Sequence, residues 1–318
     1  LLPRYGFGIP TKDCVMQHVS QQQIDLLRES FEQSTSKASS GNIKDDTVTE
    51  VFWLSVMIIT FFLGDEWRIK NIVDNLVTGD KRMEYLRLGC ETEEARYEHQ
   101  FRLTLLADSL FLLQNCEGFD FEIEKLQKVS PTNPEVKLED IAIELQIASM
   151  LVKNGHGVKF RRRSGIKRHD FDVEIKFKKT TSILGEIKCK RDETVVNVNN
   201  LRRTLYDAEK QLPTNKPSIV FVRIPADWLK YGNLAPEVRT VIENFFRHVS
   251  HVNAVMFVWE DWIMLPDNRK MSTIKFKLEL NPSPKNAIGN LSGLLLPVQI
   301  LPITTGSFFE LSFGKFSD

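Results

Sequence analysis

Apolar residues recur at spacings of three and four through much of the first 130 residues, and that periodicity predicts helices there. Gln21 to Phe31 carries Ile24, Leu26, Leu27 and Phe31 at helical spacing, and the polar stretch Gln33 to Asp46 predicts a loop. Asp46-Thr47 offers an N-cap, with Glu50 three residues after Thr47 completing a capping-box pattern. The run that follows, Val51 to Leu63 (VFWLSVMIITFFL), is the most apolar in the chain. It falls short of the ~20 residues a membrane helix needs, so it predicts a helix buried in a protein core. Asp80 to Leu88 and Glu91 to Gln114 continue the helical pattern, and no strand-like alternation appears in this region.

Around Ser130-Pro131-Thr132-Asn133-Pro134 the pattern changes. A helix is predicted over Leu138 to Lys153, stopped by Asn154-Gly155. Short β-rich runs follow at Val158 to Arg163, Asp170 to Lys178, Ser182 to Lys190, Ser218 to Pro225, Asn253 to Asp261 and Thr273 to Leu280. Helical segments sit between some of them, at Asn199 to Leu212 and Pro236 to His248. The order α-β-β-β-α-β-α-β-β indicates an α/β fold with a mixed sheet over 131–318, preceded by an all-helical region over 1–130.

Composition sharpens this division. The 318 residues carry 42 Lys+Arg against 42 Asp+Glu, a formal net charge of zero that on its own argues against a nucleic-acid binder. Residues 1–130, however, hold 14 basic and 21 acidic residues, a net of −7, which leaves +7 for the remainder. Within Val158 to Lys190 eleven basic residues face only Asp170, Asp172, Glu174 and Glu186. Arg161-Arg162-Arg163, with Lys167 and Arg168 close behind, is the densest part: a solvated hairpin tip or a phosphate-tracking surface. Four scattered cysteines without a C-x-x-C pair exclude a zinc ribbon, argue against a disulfide scaffold and fit a cytoplasmic protein with no membrane association. No P-loop, G-x-G-x-x-G, G-x-S-x-G or H-E-x-x-H motif is present.

Strand alternation sorts the candidate chemistry. In His169 to Ile175, Phe171, Val173 and Ile175 are expected on an apolar face, and Asp170, Asp172 and Glu174 on the other. In Leu184 to Lys190, Glu186, Lys188 and Lys190 share a face. A hairpin turn centred near Lys179 would set Asp172 opposite Glu186, with Lys188 one step along. On the preceding helix, Glu144 falls in the stripe of Ile141, Ile147, Ala148 and Leu151, where an unpaired carboxylate is costly. Acids of this kind beside a lysine suit phosphodiester hydrolysis with Mg²⁺ or Mn²⁺, which oxygen ligands hold.

These residues resemble the PD-(D/E)XK, or restriction-endonuclease-like, nuclease superfamily over roughly Glu139 to Pro225: a Glu-bearing helix, a strand Asp, E-x-K on the next strand, then a helix and a strand. The resemblance implies that Asp172 and Glu186 ligate the metal, that Lys188 acts on the attacking water and that Glu144 supplies a further ligand. The proline of the family name is absent, since His169 precedes Asp170. Either Asp170 or Asp172 could therefore be the family aspartate, and the hairpin register favours Asp172. The Q-x-x-x-Y element of one branch is missing from Asn199 to Leu212, which instead offers Arg202, Arg203 and Lys210 as phosphate contacts by their chemistry, beside Lys190. The implied substrate is nucleic acid, DNA rather than RNA.

Other residues carry weaker signals. His156 is better explained by a helix-to-strand turn, and His169 lies beside the acids. Trp228, Tyr231, Trp259 and Trp262 fit core or rim positions better than base-stacking ones. The tail Pro282 to Asp318 has the pattern of a packed strand, a partner-binding arm or a homodimer contact.

Overall fold

The computed structural model describes residues 54–73 and 93–294 together with residue 22, apart from gaps at 131–132, 134–135, 163, 178–180, 191–194, 196, 231–232, 265–269, 290 and 292. The expectations for Gln33 to Asp46, the capping box at Thr47 and Asp80 to Leu88 lie outside the described residues, as does the tail beyond Leu294. So does all but residue 22 of the segment Gln21 to Phe31.

The apolar run forms helix α1 over 54–63, burying Leu54, Val56, Ile58, Ile59 and Leu63. A short α2 (Asp65–Arg68) runs into a π-turn, Ile69–Val73. Two further helices follow, α3 (Glu93–Leu113) and α4 (Phe119–Gln127). The Trp67 indole N–H donates to the Leu126 carbonyl at 2.7 Å and fastens α2 to α4. Among the described residues no helix is long and apolar enough to cross a membrane.

Helix α5 (Leu138–Lys153) is buried on nearly all sides from Ile141 to Leu151, as its apolar sequence requires of a helix lying between layers. Its predicted stop is present. Asn154 Nδ2 donates to the Met150 carbonyl at 2.7 Å, and Gly155 takes φ 79°, the left-handed region that glycine reaches without a steric penalty.

Among the described residues, eight strands follow or intersperse the remaining helices. β1 (Gly157–Phe160), β2 (Val173–Phe177) and β3 (Thr181–Cys189) form an antiparallel meander. Helix α6 (Val198–Glu209) then crosses to β4 (Ser218–Arg223), parallel to β3. A two-residue ladder, β5 (Leu229–Lys230) with β6 (Asn233–Leu234), leads to α7 (Pro236–His248). That helix crosses to β7 (Val252–Met264), parallel to β4, and β8 (Lys270–Leu280) returns antiparallel. The sheet order is β1-β2-β3-β4-β7-β8, so the chain is a mixed α/β protein: helices, then a six-stranded mixed sheet with interspersed helices.

Alternation divides the sheet between two cores. Ile183, Ile187, Ile219, Phe221, Ala254 and Met256 face α5, while Leu184, Val220, Val222, Val255 and Phe257 face α6 and α7. The α5-side core also takes in α1, α3 and α4, so the helical segment and the sheet share one apolar interior across residue 130. The parallel strands β3, β4 and β7 point their carboxyl ends the same way, the end where open α/β sheets collect ligands.

Candidate active site

Val173 pairs with Gly185 and Phe177 with Thr181, so the hairpin is centred on residue 179, as its spacing predicts. Gly185 is needed at this pairing: a Cβ there would lie 2.7 Å from Val173 Cγ2 and 3.1 Å from Phe221 Cε2. The close approach holds the start of β2 tightly against the middle of β3.

The face expected for Phe171 is not the one observed. Val173 and Ile175 join the α5-side core, but Phe171 joins the core under α6. Strict alternation therefore stops at Asp172, which precedes the first ladder residue. The Asp172 N–H donates to the Gly185 carbonyl at 3.1 Å, and its Oδ2 accepts the Ile187 N–H at 2.7 Å. Asp172 is buried, and its charge acts on Glu122 and Lys125 of α4.

Glu186 and Lys188 project from β3 toward α6. Glu186 is fully buried, and Lys188 Nζ lies 2.6 Å from its Oε1. Gln211, just past α6, closes the group. With its amide oriented to satisfy its neighbours, its NH₂ donates to Glu186 Oε1 (2.8 Å) and the Asp170 carbonyl (3.1 Å), and its oxygen accepts from Lys188 Nζ (3.1 Å). Asp170 itself is turned to its own loop, where Oδ1 accepts the Ser164 N–H (2.6 Å) and hydroxyl (2.7 Å).

Glu144 is buried on α5, as its place in the apolar stripe predicts, and its partner is a lysine of α4. Lys125 Nζ stands 2.5 Å from Glu144 Oε2 and 2.8 Å from Glu122 Oε1. Burial opposes the Lys125 charge, but the Glu144 and Glu122 carboxylates outweigh it and hold the ammonium above the ordinary lysine range. Burial pushes Glu122 up, against the pull of Lys125. The expectation that Glu144, Asp172 and Glu186 gather as one trio is corrected here: among the described residues no three His, Cys, Asp or Glu side chains converge to hold a metal ion. Glu144 is drawn to α4 on one side of the sheet, and Glu186 to Gln211 on the other.

Sequence reading missed Lys125, Glu122 and Gln211. The i, i+3 spacing of Glu122 and Lys125 was the available signal, but it is the ordinary spacing of a solvated pair. Gln211 gave no signal.

The basic residues form two groups. On the β1–β2 connection, Arg161 lies over the Phe171 ring (5.4 Å) and 3.8 Å from Glu174; Arg162 pairs with Glu124 (2.6 Å) and Arg168 with Glu209 (3.1 Å). Lys167 is exposed there, and Arg163 lies outside the described residues. The second group sits where β3 ends and α6 begins. Burial lowers the pKa of Lys190, and the nearby positive charges of Arg203 and Lys188 lower it further. Arg202 and Arg203 are exposed on α6, whose first turn is capped by Asn197 accepting from the Asn199 and Asn200 N–H groups.

His156 is buried against the Phe177 ring, with Nε2 3.1 Å from both the Gly293 and Leu294 carbonyls, a structural position. His169 is exposed. Trp228 and Trp259 are core residues, as expected, while Tyr231 and the Trp262 side chain lie outside the described residues. Compared with protein-family models and with curated proteins, the chain matches none.

Proposed function

We propose that the protein is a Mg²⁺-dependent nuclease of the PD-(D/E)XK type, hydrolysing a nucleic-acid phosphodiester, DNA rather than RNA. The observation that carries this reading is the Glu186–Lys188 pair on β3, flanking Ile187, whose backbone N–H donates to Asp172 just before β2, at the point where an antiparallel meander turns into parallel strands. The element order α5-β1-β2-β3-α6-β4 supports it, because it places a Glu-bearing helix, the acid strands and the following α-β unit in the order that family uses.

Mg²⁺ is held by one or two carboxylates, with water and phosphate oxygens completing its shell. Asp172 and Glu186 are hard oxygen donors of the kind such an ion takes, with Glu186 paired to Lys188 as Glu144 is to Lys125. When bound, the ion polarises a phosphate and lowers the pKa of a water. Asp172, steadied by the Ile187 N–H, and Glu186, steadied by Gln211, provide the negative charge that holds it. Lys188, in reach of Glu186 and Gln211, orients the attacking water and offsets charge that builds on the phosphate in the transition state. Lys190, Arg202 and Arg203 contact flanking phosphates, with the Arg161–Arg168 loop as a second strip.

The internal ion pairs favour a second reading, a non-catalytic module that binds nucleic acid through the same basic face. Glu186 with Lys188 and Glu144 with Lys125 are already neutralised within the protein. Incubating the chain with plasmid, linear and single-stranded DNA and with RNA, with and without Mg²⁺ or Mn²⁺, separates the two. Metal-dependent cleavage lost in Glu186→Ala and Lys188→Ala is the expected result. Salt-sensitive binding without cleavage selects the module, and cleavage that persists in both variants rejects the catalytic assignment.

A further inference from the structure

We infer that His251 is a proton-operated release for the β1–β2 connection: Glu209 holds Arg168, and through it the loop, on the end of α6, and a proton on His251 loosens that hold. The inference goes beyond the nuclease reading and does not depend on it.

Arg168 docks on the C-terminal end of α6 through three contacts. Its N–H donates to the Lys210 carbonyl at 3.0 Å, and its Nη1 donates to Glu209 Oε1 at 3.1 Å and to the Leu212 carbonyl at 3.4 Å. Among the described residues it is the one non-glycine residue in the left-handed region, with φ 67°. That backbone is unfavourable for a residue with a Cβ and persists only where the surroundings impose it. A loop held in this way relaxes when one of the contacts weakens.

The same Glu209 oxygen faces His251, just before β7, whose Nε2 lies 3.5 Å away. The imidazole and carboxylate side chains are 7% and 14% exposed, so little solvent screens a charge placed on the ring. Nε2 has no hydrogen-bond partner among the described residues. Protonated, it becomes a donor beside Oε1, the oxygen that Arg168 uses. Three charged groups act on the ring. Glu209 of α6 favours its protonated form, while Arg168 of the loop and Lys285 beyond β8 oppose it. Coupling of this kind is reciprocal: a docked Arg168 that disfavours the proton is itself disfavoured by the proton. Burial holds the His251 pKa below the ordinary 6.5, so the ring is neutral at pH 7 and release belongs to the range below pH 6.5.

The loop so held borders the Glu186–Lys188 pair. Two residues beyond Arg168, the Asp170 carbonyl accepts from the Gln211 amide that also contacts Glu186 and Lys188. Loosening Arg168 therefore frees the loop beside that pair and returns to the basic face an arginine that Glu209 otherwise neutralises.

The test is amide hydrogen exchange of the full chain at about pH 7 and about pH 5.5, expressed as protection factors so that the chemical pH dependence of exchange drops out. In wild type the peptide that carries the Arg168 N–H should lose protection by about two- to fivefold at the lower pH, the range a partly exposed ion pair supplies. Glu209→Gln should show the lower protection at both pH values, and His251→Gln the higher protection at both. A second measurement leaves the buried ring in place. The His251 titration followed by NMR should shift to a higher midpoint in Arg168→Ala, which removes a partly exposed side chain. Should His251→Gln fail to fold, the wild-type exchange and the Arg168→Ala midpoint still decide. Unchanged wild-type protection, a loss that persists in a folded His251→Gln, or a midpoint that stays or falls in Arg168→Ala would each overturn the inference. None of these readouts involves cleavage, so the nuclease reading stands or falls separately.

Discussion

Asp172 Oδ2 accepts the backbone N–H of Ile187 at 2.7 Å, tying the aspartate that leads into β2 to the residue between Glu186 and Lys188 on β3. The bond serves folding and chemistry at once. It satisfies a buried donor at the end of the β2–β3 ladder, and it sets the carboxylate beside the E-x-K segment.

Asp172→Ala leaves that N–H unmet and is expected to cost about 1–3 kcal/mol of stability. Asp172→Asn keeps an oxygen that can accept it and should cost less than about 1 kcal/mol. Both should abolish metal-dependent cleavage. Urea unfolding beside plasmid cleavage checks the pair: equal destabilisation in both variants would mean that the hydrogen bond is not what holds the strand end.

His251 makes folding sensitive to mild acid. Burial lowers its pKa below the ordinary 6.5, and the opposing pull of Glu209, 3.5 Å away, does not restore it. A base whose folded pKa is depressed binds fewer protons folded than unfolded, so its contribution is intact above pH 6.5 and is lost as pH falls through the folded value. Tm should therefore drop between pH 7 and about 5, and His251→Gln should flatten that part of the profile. An unchanged slope in the variant would assign the acid sensitivity to carboxylates.

The elements that read cleanly from sequence are those whose signals are local. Helix α5 ends at Asn154-Gly155 as predicted, because a left-handed glycine cap is written in two residues. The hairpin centre at 179 follows from the lengths of two alternating runs. Phe171 was misplaced because alternation holds only inside a ladder, and β2 begins at Val173. Lys125 and Glu144 are 19 residues apart on different helices, so their pairing depends on how α4 docks on α5, which no spacing rule encodes. Gln211 is placed by the return of α6 across the sheet, again a tertiary outcome.

Gly185→Ala tests the packing that presents the acids. The added methyl would sit 2.7 Å from Val173 Cγ2 and 3.1 Å from Phe221 Cε2, and both neighbours are fully buried. Neither has space to yield, so β2 and β3 must separate, at an expected cost of about 1–3 kcal/mol. A lowered Tm with reduced cleavage is the expected result. A variant as stable as wild type would show that the hairpin relaxes freely.

Salt dependence locates the phosphate track. On the Arg161–Arg168 loop, Arg162 and Arg168 already have carboxylate partners at 2.6 Å and 3.1 Å. Releasing those partners offsets much of what a phosphate contact would gain. Lys190 and Arg203 instead repel one another where β3 ends, and a bound phosphate relieves that repulsion. The contribution to binding should therefore be larger at α6 than on the loop. In fluorescence anisotropy against a duplex across a salt series, Arg202→Ala and Arg203→Ala should each reduce the log–log slope by about 0.9, the value for one lost phosphate contact, or by about 0.7 on a single strand. Arg162→Ala should change it by much less, since it also leaves Glu124 without its partner. A larger effect from Arg162→Ala than from the α6 pair would move the track to the β1–β2 loop.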